Sequence, residues 1–214
     1  MAKLSSSFKH MAFVLTGISL LVAALLASIY SLTQEPIEAS KTAKQQNAIK
    51  EVLPSFARLD EPVPVEIKGI IFSIYKAFDT NQRFVGAAVE SSSKNGFNGE
   101  IKVIVGFDKE MNIVNYSILE QKETPGLGTK MVDWFKPAVQ TEKSLLEKIF
   151  GFEVETMERK SSIIGKNPEH DMLTVSKDGG QIDAITAATI TSRAFLEAIN
   201  AAYEVYINQF ESYE

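Results

Sequence analysis

The chain has 214 residues, 45% hydrophobic and 23% charged, with 22 Lys and Arg against 27 Asp and Glu for a net charge of −5. That balance suits one globular domain plus an appendage, and it excludes the broadly basic face that nucleic acid requires, so no nucleic-acid partner is expected. With no cysteine and only two histidines, His10 and His170, the chain can form no disulfide, thiolate metal site or iron–sulfur centre, and no metal site is expected.

In chain order, the first feature is Met11 to Leu32, which carries no charge and includes Phe13-Val14-Leu15 and the run Ile18 to Leu26. As a helix it would span about 33 Å, close to the hydrocarbon thickness of a bilayer. Residues 11–32 are therefore expected to be one transmembrane helix behind a short tail, residues 1–10. A cleaved signal peptide is the competing reading, but its apolar stretch would be only about 7–15 residues long, and no small-x-small cleavage site precedes Thr33-Gln34-Glu35-Pro36. Lys3 and Lys9 face Lys41, Lys44 and Lys50 across the segment, so charge alone leaves the orientation open. Residues 33–64 are expected to form a juxtamembrane helix and linker. Ala39, Ala43, Ala48, Ile49, Val52 and Leu53 make a loose apolar stripe that Pro54 ends, and Arg58 to Pro64, with two prolines and three charges, reads as a connection.

Residues 65–214 read as one α+β domain. Val65 to Phe78, Arg83 to Glu90, Glu100 to Phe107 and Ile113 to Leu119 are β-type runs. They are parted by turn formers at Asp79-Thr80-Asn81 and Asp108-Lys109-Glu110, and by Ser91 to Gly99, which reads as a loop. Short turns between consecutive strands predict an antiparallel sheet with helices packed on it. Next come Glu123-Thr124-Pro125-Gly126-Leu127-Gly128, the apolar cluster Met131 to Phe135, a helix pattern at Ser144 to Phe150, a short strand at Met172 to Ser176 and the turn Lys177-Asp178-Gly179-Gly180. The last helix carries Phe195, Ile199, Tyr203, Tyr206 and Phe210 at spacings of three and four, a single apolar stripe.

Two stretches exceed what packing requires. Asp183 to Ser192 sets Thr186, Thr189, Thr191 and Ser192 among small residues directly before the last helix. A helix start offers unpaired N–H groups and a positive dipole end, so this is either an ordinary cap or a phosphate seat. Glu123 to Gly128 lets backbone approach a ligand closely while Leu127 offers an apolar contact, although alone it is a turn. Together the two could hold a phosphorylated aromatic cofactor. Trp134 reads either as a core aromatic or as a stacking partner for such a group.

One membrane helix, Gly99-Glu100-Ile101 leading to Val105-Gly106-Phe107-Asp108, then residues 123–128 and 177–192, in that order, resemble the FMN-binding domain family. Within it the resemblance is to the G-subunit branch of the Rnf electron-transport complexes, with the C subunits of the Na⁺-translocating NADH:quinone reductases as a sister branch and alternative. The resemblance implies FMN held covalently through a phosphoester to Thr189, the last residue of a Ser/Thr-Gly-Ala-Thr motif, with Thr186, Ala187 and Ala188 before it and Asp183 upstream. It implies Glu123, Thr124, Gly126 and Leu127 along the flavin. Implied partners are membrane and peripheral subunits of a ferredoxin:NAD⁺ oxidoreductase that moves Na⁺ or H⁺, a flavin transferase, and membrane lipid. Residues 65–214 would be an extracytoplasmic domain on a bacterial or archaeal cytoplasmic membrane. One departure stands out. The family's usual glycine is Ala187, which matters if that position needs a positive φ, and which motivates a third reading as an anchored module without flavin.

Overall fold

The computed structural model describes residues 8–67, 70–137 and 160–210. Two units are distinguished, residues 1–45 and 46–214. The first consists of most of helix α1, Phe8–Val52, 45 residues long. Its N-terminal part is long and apolar enough to cross a membrane, and side chains such as Phe13 (83% exposed) and Leu15 (69%) have no protein cover. These are the length and composition of a single-pass membrane anchor.

The anchor and the juxtamembrane helix, expected as separate elements, are one continuous helix with Pro36 inside it. Proline removes one N–H from the ladder, but local bonds such as Gln34 Nε2 to Glu38 Oε1 at 3.0 Å support the next turn. Of the proposed stripe, Ala39 and Ala43 are exposed, whereas Ala48, Ile49 and Val52 are buried in the second unit.

That second unit is an α+β domain on an antiparallel sheet of β1 (Arg58–Leu59), β2 (Val63–Ile67), β3 (Ile70–Phe78), β4 (Phe84–Gly96), β5 (Gly99–Asp108) and β6 (Ile113–Glu120). The spatial order is β1-β3-β4-β5-β6, with β2 also pairing with β3. The run at Val65 to Phe78 is not one strand but the β2–β3 hairpin, in which Val63 pairs with Ile74 and Ile67 with Ile70. The connection Arg58 to Pro64 likewise supplies β1 and the start of β2. The expected loop at Ser91 to Gly99 is mostly strand: Ser91, Ser92 and Ser93 pair with Val103, Lys102 and Ile101. Hydrogen bonding explains why an apolar pattern was not needed there, since Glu197 accepts from the Ser93 hydroxyl at 2.7 Å and from the Asn95 amide at 2.8 Å.

After β6 come a 3₁₀ turn at Gly128–Lys130, the short helix α2 (Met131–Trp134), a second 3₁₀ turn at Ser176–Asp178 and helix α3 (Thr189–Phe210). The strand expected at Met172 to Ser176 is reduced to one bridge, Val175 with Ile182. The helix expected at Ser144 to Phe150 lies outside the described residues.

Alternation in the strands sends two faces to two cores. Ala87, Val89, Val103, Val105 and Phe107 meet Phe195, Ile199, Ala202 and Tyr206 of α3. On the opposite face Tyr75, Ala77, Ala88 and Ile104 meet Ala48, Ile49, Val52 and Leu53. Gly106 permits this second contact, because a Cβ there would collide with the Val52 carbonyl. The sheet thus fixes α3 by one face of the helix and leaves its first turn to the loops.

Candidate functional site

The loop after β6 folds around a local backbone demand. The Leu127 N–H donates to the Thr124 carbonyl at 3.2 Å, with Pro125 second and Gly126 third at φ +75°. Proline preset for the second place and a positive φ in the third are the pattern of a type II turn. Thr129 braces it by accepting the Gly126 N–H at 2.9 Å. The turn leaves Leu127 40% exposed and sends Gly128 inward.

Glu123 begins this loop, is 5% exposed, and faces the protein interior. Its Oε2 accepts the Thr191 hydroxyl at 2.6 Å and its Oε1 accepts the Asn98 N–H at 3.1 Å. One carboxylate therefore ties the loop, the β4–β5 turn and the first turn of α3 together. Gly128 makes room for it: a Cβ there would lie 2.6 Å from Glu123 Oε2 and 2.9 Å from Thr191 Oγ1. Asn98 adds a second tie through Nδ2 to Thr124 Oγ1 at 3.3 Å.

The threonine-rich stretch contains a matching turn. The Ala188 N–H donates to the Ile185 carbonyl at 3.0 Å, and Ala187 in the third place has φ +63°. This is the backbone that the departure from glycine put at issue, and Ala187 adopts it with its Cβ in place. Ser192, fully buried, accepts the Ile185 N–H at 2.9 Å and donates to the Ala188 carbonyl at 3.0 Å, stitching the turn to the helix. Asp183 holds the upstream end, its carbonyl accepting Trp134 Nε1–H at 2.9 Å and its carboxylate accepting the Lys160 N–H at 3.0 Å. Trp134 is half-buried against the core and so acts as a strut between the two motifs.

The hydroxyls of Thr191 and Ser192, either of which could by residue type cap α3, are thus engaged elsewhere. The backbone N–H groups of Thr189, Ile190 and Thr191 find no acceptor among the described residues, which leaves the helix start open to an anion. The Thr189 hydroxyl lies at that start and accepts from Lys177 Nζ at 3.2 Å. Leu127 and Ile190, exposed at 40% and 47%, each sit one residue before Gly128 and Thr191, which adjoin. Leu127 and Ile190 thus stand on the two segments that the Glu123–Thr191 hydrogen bond joins. Thr186 and Ala187 are exposed, and Ala188 is buried.

A cavity of about 620 Å³ runs beside α3, lined among others by Thr174, Asp178, Arg193, Glu197 and Asn200. It reaches neither Thr189 nor Leu127. Arg193 closes on Asp178 with two 2.7 Å hydrogen bonds, which hold the Asp178 carboxyl below its ordinary value and raise the guanidinium in return.

The structure brings together the two stretches singled out in the sequence, and adds Lys177, Asn98 and the strut role of Trp134, which the sequence did not signal. A lysine in a Lys-Asp-Gly-Gly turn carries no signal of its own. Only the turn's closure, with Gly180 N–H to Val175 O at 3.1 Å and Ile182 N–H to Thr174 O at 3.1 Å, brings it back to Thr189.

The domain is an antiparallel sheet under one long helix, with two loop motifs meeting at that helix's start. The family model of the FMN-binding domain matches residues 96–204, and that of the RnfG N-terminal region matches residues 1–52. The chain is 30% identical over 210 residues to the G subunit of the ion-translocating oxidoreductase complex of Aliivibrio fischeri, covering 94% of this chain and 91% of that protein. Proteins of the same name from Methanosarcina acetivorans (28% over 191 residues, 87% and 88% covered) and Haemophilus influenzae (27% over 198 residues, 89% and 86% covered) are also similar. The chain belongs to the FMN-binding domain family, in its branch of G subunits of ion-translocating oxidoreductase complexes.

Proposed function

We propose that this chain is the electron-carrier subunit of an Rnf-type ferredoxin:NAD⁺ oxidoreductase that couples electron transfer to Na⁺ or H⁺ translocation. FMN is attached through a phosphoester to Thr189, and residues 33–214 lie outside the cytoplasmic membrane. The carrying observation is the environment of the Thr189 hydroxyl, which accepts from the Lys177 ammonium at 3.2 Å and stands at a helix start whose first N–H groups have no acceptor among the described residues. An anion is favoured there by the dipole and by the cation alike. The residues present also fit the rest of the group, because the exposed apolar Leu127 and Ile190 stand on the loop and the helix start that Glu123 and Thr191 join.

When bound, flavin supplies one- or two-electron transfer. The chain's own part is position. Glu123 sets the loop against α3, the Ile185–Ala188 turn sets Thr189 at the helix start, and the anchor keeps the domain at the membrane with its partner subunits and lipid. Thr124, Gly126 and Leu127 form the ligand-facing loop edge, and Asp183 with Thr186, Ala187 and Ala188 frames the attachment turn. A flavin transferase delivers the group, so this chain is its substrate and turns over nothing alone.

Co-expression with a flavin transferase followed by denaturing electrophoresis tests the reading. The wild-type band is expected to fluoresce, Thr186→Ala to keep the signal and Thr189→Ala to lose it. A dark wild-type band beside a labelled control substrate, or a fluorescent Thr189→Ala band, would sink it.

A further inference from the structure

We propose that Lys177 is the positioning residue for flavin attachment, holding the Thr189 oxygen before transfer and pairing with the phosphoester anion afterwards. This rests on the assignment of Thr189 as the attachment site.

Three observations carry it. Lys177 Nζ donates to Thr189 Oγ1 at 3.2 Å, across twelve residues of chain. The neighbouring acid that would ordinarily claim the ammonium, Asp178, is taken by Arg193 through two hydrogen bonds of 2.7 Å, and among the described residues Lys177 forms no ion pair. The turn bearing it is constrained, since Gly179 at φ +84° ends the 3₁₀ turn and Gly180 packs so closely on Thr174 that a Cβ would collide with its carbonyl.

The chemistry follows from charge. In the transfer the Thr189 oxygen attacks the flavin-side phosphorus of flavin adenine dinucleotide. The Oγ1–P bond forms, the bridging P–O bond breaks, AMP leaves with the electron pair, and the hydroxyl proton passes to a base of the transferase or to water. No electrons are gained or lost. An ammonium on one lone pair of Oγ1 fixes the directions of the hydroxyl proton and of the other lone pair. It also attracts the dianionic donor and remains beside the single negative charge of the product diester, where a charge-assisted hydrogen bond is stronger than a neutral one. Lys177 is exposed, so this contribution is screened by salt.

The test uses full-length chain in detergent with purified transferase, magnesium and flavin adenine dinucleotide, following covalent fluorescence with time. Lys177→Met is expected to slow the initial rate about tenfold at low salt, while Lys177→Arg, which keeps charge and donor, stays within about threefold. Added salt should slow the wild type and leave Lys177→Met nearly unchanged, a response that a merely structural role would not produce. Equal melting temperatures for wild type and Lys177→Met are expected as well. If Lys177→Met reacts at the wild-type rate with the wild-type salt dependence, or if Lys177→Arg is as slow as Lys177→Met, the proposal fails. Thr189→Ala in the same assay separates the two readings: fluorescence there overturns the attachment site, whereas a dark Thr189→Ala with a fast Lys177→Met overturns only Lys177.

Discussion

Two turns of the same form, one with glycine and one with alanine in the third place, allow the cost of Ala187 to be predicted from the molecule's own geometry. Ala187 at φ +63° and Gly126 at φ +75° occupy the same backbone region. An L-residue there costs about 1–2 kcal/mol from the clash of Cβ with the backbone. Changing Ala187 to Gly removes that cost and returns about 0.4–1 kcal/mol through the greater freedom of the unfolded chain. The net expectation is a stabilisation of about 0.5–1 kcal/mol, or roughly 1–4 °C in melting temperature for a domain of this size. Gly126→Ala should shift stability by a similar amount in the opposite direction, because a Cβ there meets nothing within 4 Å and only the backbone conformation is at stake. Urea unfolding of unflavinylated full-length protein in detergent, followed by Trp134 fluorescence, would read both variants. The reasoning is refuted if Ala187→Gly is neutral or destabilising while Gly126→Ala destabilises as expected, since the two positions would then not share one strain.

Two further outcomes follow from buried polar groups. Glu123→Ala should destabilise by about 2–4 kcal/mol, because it leaves the Thr191 hydroxyl and the Asn98 N–H without their acceptor. Glu123→Gln, able to accept from one and donate to the other, should lose less than half of that, as urea midpoints would show. Burial, the largest cause, raises the Tyr116 phenol above its ordinary value. Its hydroxyl donates to the Met131 carbonyl at 2.7 Å. A raised folded-state value favours the neutral form, so the contribution is complete below the unfolded value of about 10 and is lost as pH rises beyond it. Stability measured between about pH 9 and 12 should therefore fall less steeply in Tyr116→Phe than in wild type; identical slopes would rule out this phenol as a source.

Local reading succeeded where the physics is local. The meander was legible because each strand alternates and each short turn carries its own formers, as at Asp79-Thr80-Asn81, where Asp79 accepts the Asn81 and Arg83 N–H groups at 2.7 and 2.9 Å. It failed at Ser91 to Gly96, where the polar strand residues Ser93 and Asn95 are satisfied by Glu197 from a helix a hundred residues on. It failed again at Thr191 and Ser192. Their hydroxyls suit a cap by type, but Glu123, 68 residues earlier in the chain, and Ile185 claim them.

By itself, the sequence determined the apolar anchor, the antiparallel sheet class, and the order of the two motifs that mark the family. Composition, two-residue and 3.6-residue periods, and turn chemistry act over a few bonds, so they can be read without a fold. The tertiary structure alone decided that Glu123 turns inward, that Ala187 takes a left-handed backbone, and that of the hydroxyls of Thr189, Thr191 and Ser192 it is Thr189's that meets Lys177 at the open helix end. Each of those outcomes is a competition for hydrogen-bond partners between residues far apart in the chain, and packing of α3 on the sheet sets which partners come within reach.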